Sequence, residues 1–162
     1  MLTDYTDAPT IRALLGVNDL EIDDDTILLP AYEFVISEGL LDLGSSVPVM
    51  YTTVAALVSR TATQARYYEQ VRLYSAALAA QALLPTLPMA VPKKLSDSKA
   101  TLERVDDPYT RLEASLQALL SAMRAKILET LVLLDSGATV SATTVRVFAG
   151  VVGLGTDPIT GV

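Results

Sequence analysis

The stretch 73–92, LYSAALAAQALLPTLPMAVP, carries no charge and is closed by Pro85, Pro88 and Pro92. It constrains the fold more than any other segment. A membrane span needs about 20 predominantly apolar residues, and the length here qualifies. The content does not, because Ser75, Gln81 and Thr86 interrupt it and alanine dominates over leucine. A buried helix followed by a proline-rich loop is therefore expected, with no membrane. Within it, AALAAQALL presents alanines on every face. Small side chains let neighbouring helices approach closely, which suits the middle of a bundle or a subunit interface.

Apolar residues recurring every three or four positions extend this helix upstream. Val54, Val58, Thr61, Ala65, Tyr68, Arg72, Ser75, Leu78 and Ala82 trace one stripe, predicting a single long helix from about Pro48 to Leu84. Nearer the N-terminus, residues 8–15 (APTIRALL) read as a short helix. Asp7 or Thr6 caps it, Pro9 fits its first turn and Gly16 ends it.

The next helix opens inside the run Asp23–Asp24–Asp25. Free N–H groups and the helix dipole favour carboxylates there. Ile27, Ala31, Phe34, Val35, Glu38 and Leu41 step along it at helical spacing, and Leu43–Gly44 ends it. Pro30 has to lie near its start, or it kinks the helix. The same acids invite a calcium reading. That loop needs a glycine at its sixth position and a glutamate at its twelfth. Counting from Asp19, those positions hold Asp24 and Pro30. The cap is the preferred reading, with no metal.

Downstream, KKL and ATLERV flank the polar turn SDSK. A small β-hairpin is expected over about 90–105, with Leu95 facing Ala100 or Leu102; a solvated loop is the alternative. A further long helix is expected from about Asp107 to Asp135, capped by Asp106 or Asp107, with Pro108 at its first position. Leu112, Leu116, Leu119, Met123, Ile127, Thr130 and Leu134 form its stripe, and Gly137 marks its end. The tail changes character. TTVRVFAGVV is β-branched and suits a strand, and the glycines with Pro158 exclude a helix beyond it. The tail reads either as an arm that pairs with another chain or as a strand that pairs with the chain's own hairpin.

The expected fold is mainly α. It comprises a bundle of two or three long helices plus a short N-terminal helix, a small β-hairpin between the last two long helices, and an extended C-terminal arm. Residues 1–136 form the helical domain and 137–162 the arm.

Composition removes most chemistry. With neither cysteine nor histidine among 162 residues, no thiolate site and no Ser-His-Asp or Cys-His site can be built. No enzyme and no cofactor are expected. GVVGLG at 150–155 lacks the lysine of a phosphate-binding loop. Tyr67, Tyr68 and Tyr74 read as packing. The net charge of −7 is uneven, since residues 1–42 hold ten acids and a single base, Arg12. A tight nucleic-acid binder would instead concentrate basic residues on one face. Lys93, Lys94 and Lys99 make a small basic spot at the hairpin, by default a solvated turn. Met1 is followed by Asp4 and Asp7 rather than by a basic stretch, so no secretory signal peptide is expected.

The order of these features carries a resemblance. A short helix ends in LLGV, an acidic loop follows, and DDD opens a helix continued by ILLPAYEFVISEGLLDLG. A long helix, the hairpin-like KKLSDSKATLERV and another long helix come next. Over roughly residues 9–135 this resembles the head-to-tail connector, or adaptor, family of tailed bacteriophages. Pro30 and the long apolar tail depart from the family's pattern. The resemblance implies a structural virion protein at the neck, made in the host cytoplasm. Copies would form a homo-oligomeric ring, a dodecamer by the family's pattern, beneath the portal protein. A tail or neck protein would bind on the far side, and DNA would be present only as the passing genome. Val145, Val147, Phe148, Val151, Val152 and Leu154 would then serve a portal or subunit interface. Lys93, Lys94 and Lys99 would face the lumen. The alternative, from another class, is a small cytoplasmic helical interaction module or chaperone.

Overall fold

The computed structural model describes residues 2–87, 94–97, 100–103 and 108–136. Its helices are α1 (Leu2–Tyr5), α2 (Ala8–Leu15), α3 (Asp24–Ile27), α4 (Pro30–Leu41), α5 (Ser46–Ala55), α6 (Ala62–Leu83) and α7 (Pro108–Asp135). A 3-10 turn, Leu84–Thr86, follows α6. Strands β1 (Lys94–Asp97) and β2 (Ala100–Glu103) pair antiparallel, with Leu95 opposite Leu102 and Lys94 opposite Glu103. The chain is mainly helical.

Helix α6 is the axis of the bundle. α7 packs along it, and α2, α4 and α5 pack on the rest of its surface. Ala76, Ala77, Ala79 and Ala80 are fully buried, while Leu78, Gln81 and Ala82 are half-buried, so the alanine-rich half is mostly closed in. Gly39 on α4 meets the side chain of Leu78 on α6. A larger residue there would force the Leu78 side chain to move.

Two helices expected to be continuous are broken. The stretch 48–84 is not one helix, because α5 stops at Ala55 and α6 starts at Ala62. The break is held at both ends. Arg60 donates from Nε to Val54 O (2.8 Å) and from Nη2 to Ala55 O (2.9 Å), covering the terminal carbonyls of α5. Thr61 and Gln64 form a reciprocal capping box at the start of α6. The expected stripe therefore fails between Val58 and Ala65, while Val54, on α5, is buried. Val58, Thr61 and Ala65 are exposed, and Tyr67, Val71 and Tyr74 are buried instead.

The helix expected from the aspartate run is also two. The run opens only the single turn α3, and Pro30, at the first position of α4, restarts the chain. Proline has no N–H to continue a helix, and its ring clashes with the preceding turn. The face of α4 is corrected too. Ile36 and Leu40 enter the core, while Ala31, Phe34, Glu38 and Leu41 are exposed.

Helix α7 follows its expected stripe. Leu116, Met123, Ile127 and Thr130 are buried, flanked by half-buried Leu112, Leu119 and Leu134. Its expected cap, Asp106 or Asp107, lies outside the described residues, as do Gly137 and the tail. α2 also forms as expected. Asp7 Oδ1 accepts from the Thr10 backbone N–H at 2.9 Å and from its hydroxyl at 2.7 Å. Gly16 closes the helix in the left-handed region at φ 67°.

Asp7 also pairs with Arg72 on α6 at 2.7 Å. The Thr10 hydrogen bonds, aided by Arg72, hold its carboxyl below the ordinary value of 3.8. A carboxylate with a depressed folded pKa stabilises the fold above its unfolded pKa, and that contribution is lost as pH falls through the folded value. Replacing Asp7 with alanine is expected to lose about 1 kcal/mol at neutral pH. The gap from the parent should close in acid, as read by urea unfolding at a series of pH values. An equal gap at acid and neutral pH would rule out the charged cap.

Candidate assembly interface

Two of the acids around 19–25, Glu21 and Asp23, are engaged with the backbone. Asp23 Oδ1 accepts from the Thr26 N–H at 2.8 Å and caps α3. Those Thr26 hydrogen bonds hold its carboxyl below the usual range. Glu21 accepts from the Asn18 N–H at 2.9 Å. Asn18 Oδ1 in turn accepts from the N–H groups of Leu20 and Glu21. Arg12 bridges α2 to this segment, donating to Ile22 O at 2.8 Å and pairing with Asp24. A groove of about 390 Å³ runs past Asp19, Glu21, Asp23 and Thr86. Among the described residues no group of acids is placed to hold a metal ion.

The tyrosines pack. Tyr5, Tyr51 and Tyr68 stack in sequence with ring centroids 5.2 Å apart, and the Arg60 guanidinium lies 4.0 Å over Tyr68. Tyr51 donates to Asp4 O at 2.6 Å, and Tyr67 donates to Val47 O at 2.9 Å in the interior. Burial pushes the phenols of Tyr51, Tyr67 and Tyr74 up. They stay neutral over the whole working range and act as struts.

The unusual feature is the solvent-facing surface. No charged residue lies between Asp42 and Arg60, yet this segment is largely exposed. Val49, Leu57 and Val58 are exposed, Val58 completely. The hydroxyls of Thr52 and Thr53 turn back to Pro48 O and Val49 O, both at 2.9 Å, which engages them within α5. Helix α4 carries a second apolar line beside this one. Phe34 is 65% exposed and Leu41 47%, in register with Pro30 and Ser37 at steps of four, three and four. A helix that is apolar on both faces is normally buried on both.

Helix α7 shows the same duplication. Opposite its core stripe, Ala114, Ala118, Ser121, Ala125, Leu128 and Val132 recur in alternating steps of four and three. All but half-buried Leu128 are exposed, and none is charged. This is the spacing of a helix–helix seam. Both signals were present in the sequence. A charge-free run between Asp42 and Arg60, and a second heptad line on one helix, are each too much apolar periodicity for one core.

Of the residues singled out from sequence, Lys94 lies in β1, while Lys93 and Lys99 fall outside the described residues. So do Val145, Val147, Phe148, Val151, Val152 and Leu154. Among the described residues no helix is long and apolar enough to cross a membrane. Compared with known proteins, the chain matches no family model, no curated protein and no solved structure.

Proposed function

We propose that this chain is a structural subunit of a phage neck, a head-to-tail adaptor that forms a ring beneath the portal and lets the genome pass. One observation carries the assembly part. Uncharged faces at helix-packing spacing stand exposed on α4 and α7. A solitary soluble domain rarely exposes apolar surface in this organised way. A subunit that buries it in neighbours has reason to. The neck assignment rests on the order of elements given above. In this reading the hairpin Lys94–Glu103 is the part that reaches toward the lumen, and residues 137–162 are the arm that grips a neighbour or the portal.

A channel for DNA should not hold DNA. Each phosphate contact adds affinity and salt dependence, and a chain of net charge −7 offers few. The isolated protein is expected to give no shift of duplex DNA at physiological salt. Replacing Lys93, Lys94 and Lys99 together with glutamine should leave assembly unchanged. Submicromolar, salt-sensitive binding to duplex DNA would overturn the passive-channel reading. The virion role itself is tested by removing the gene. Filled heads without tails are the expected product, and normal infectious titre would refute it. An interaction module or chaperone would leave finished particles intact, and the chain would be absent from them.

A further inference from the structure

Strands β1 and β2 are four residues each, and among the described residues they form a sheet of two strands with both outer edges unpaired. A two-stranded hairpin alone is at best marginally stable in water, and a third strand is one remedy. An unpaired edge is a ready template for it. The C-terminal segment suits that place. Thr143–Phe148, TTVRVF, is rich in β-branched residues, and Gly150 ends the run. Val145 and Val147, two apart, fall on one face of a strand. The hairpin offers the cross-strand position Leu95–Leu102 for that row to continue.

The two parts join α7 at opposite ends. The hairpin leads into its first residue through residues 104–107, and the tail leaves after its last. The 28 residues of α7 hold those ends about 40 Å apart at 1.5 Å per residue. A chain spans at most about 3.6 Å per residue, so Thr143 lies no more than about 29 Å from Asp135, and Glu103 no more than about 18 Å from Pro108. Thr143 therefore meets its own hairpin only with both connectors pulled nearly straight along α7, at a cost in conformational entropy. The hairpin of a neighbouring copy imposes no such stretch.

We infer that Thr143–Phe148 of one copy adds as a third strand to the β1–β2 hairpin of the next copy. This deepens the ring reading and rests on it for what the contact builds. Tail and hairpin are different surfaces, so the contact repeats head to tail from copy to copy, and closes into a ring when the rotation allows. Main-chain hydrogen bonds along the edge supply the affinity.

Disulfide trapping in the full-length chain reads this contact directly, since the chain has no native cysteine and a bond needs the two Cβ atoms to approach to about 4 Å. Ser96→Cys or Thr101→Cys places a thiol on one strand or the other of the hairpin. Val145→Cys, Arg146→Cys or Val147→Cys places one on the tail. Each hairpin variant, lengthened by a size tag, is mixed with each untagged tail variant, alone and with the portal protein, then oxidised. At least one mixture should give a tagged–untagged heterodimer on a non-reducing gel, and the matching double variant should give a ladder of multimers. A double variant that closes on itself as a monomer, with no free thiol left, would show pairing within one chain and overturn the proposal. Dimers of a tail variant alone, in like yield to the heterodimer, would show tail-to-tail contact and overturn it as well. Light scattering separates this inference from the ring reading. Oligomers with no heterodimer in any mixture would reject the strand and leave the ring standing. Monomers in every condition would reject both. Proline scanning over 144–147 is the second check. An edge strand tolerates proline only where the missing N–H faces away from the ladder, and neighbouring residues face opposite ways. Heterodimer yield should therefore alternate along the four positions, with the helical circular dichroism unchanged. An equal yield at all four would overturn the strand.

Discussion

Replacing Tyr67 with alanine is expected to lose about 3–5 kcal/mol, the range for deleting a large buried aromatic side chain. Small domains have only about 5–15 kcal/mol in total, so this change alone should leave much of the chain unfolded near body temperature. Tyr67 is fully buried on α6, and its hydroxyl donates to Val47 O in the interior. It thereby ties the start of α5 to the central helix across the break at 56–61. Tyr67→Phe separates the two contributions. It keeps the ring but leaves the Val47 carbonyl without this donor, at about 1–3 kcal/mol. Urea unfolding followed by far-ultraviolet circular dichroism should rank parent, phenylalanine and alanine variants in that order. If phenylalanine proved as damaging as alanine, the hydrogen bond rather than the packing would be the dominant contribution.

The other large effect is on assembly. A chain ending at Ser136 is expected to keep its helical circular dichroism and its unfolding midpoint, yet fail to enter particles, with infectious titre falling by orders of magnitude. The stripe of α7 is complete by Leu134. Residues 143–154 then supply β-branched and apolar side chains, among them Val145, Val147, Phe148, Val151, Val152 and Leu154, that a finished bundle does not require. A truncated protein that cannot fold as a monomer would place the arm in its own core and end the idea. A truncated protein that assembles normally would end it as well.

Different helices were legible in the sequence to different degrees, and packing explains why. Helix α7 packs mainly on α6, so its inward stripe stands out and its boundaries follow. The alanine-rich half of α6 is mostly enclosed, and there it has little polar face to orient the pattern. The eye then joins Val54 and Val58 to it, although Thr61 and Gln64 spell a capping box that should have stopped the extension. On α4 the ambiguity had a different source. Ala31, Phe34 and Leu41 make as good a line as Ile36 and Leu40, because both lines are apolar. The sequence pattern cannot say which of two such faces meets its own chain. The core took one, and the line read as core became the candidate docking face. The acidic run was legible because capping is local, decided by Asp23 and the Thr26 N–H three residues away. The seam on α7 does not stand out in the sequence because alanine and serine mark neither core nor surface.

The stack of Tyr5, Tyr51 and Tyr68 has a practical consequence. The chain has no tryptophan, so tyrosine dominates its near-ultraviolet optical activity. Rings held in fixed, nearly parallel orientation couple their transitions, and the signal disappears when the rings separate. The three belong to α1, α5 and α6, so the Tyr5–Tyr51 part of this signal depends on the N-terminal turn being docked on the bundle, while the Tyr51–Tyr68 part does not. The protein thus carries its own label for the docking of that turn, readable without adding a dye and independent of the far-ultraviolet signal that α6 and α7 dominate.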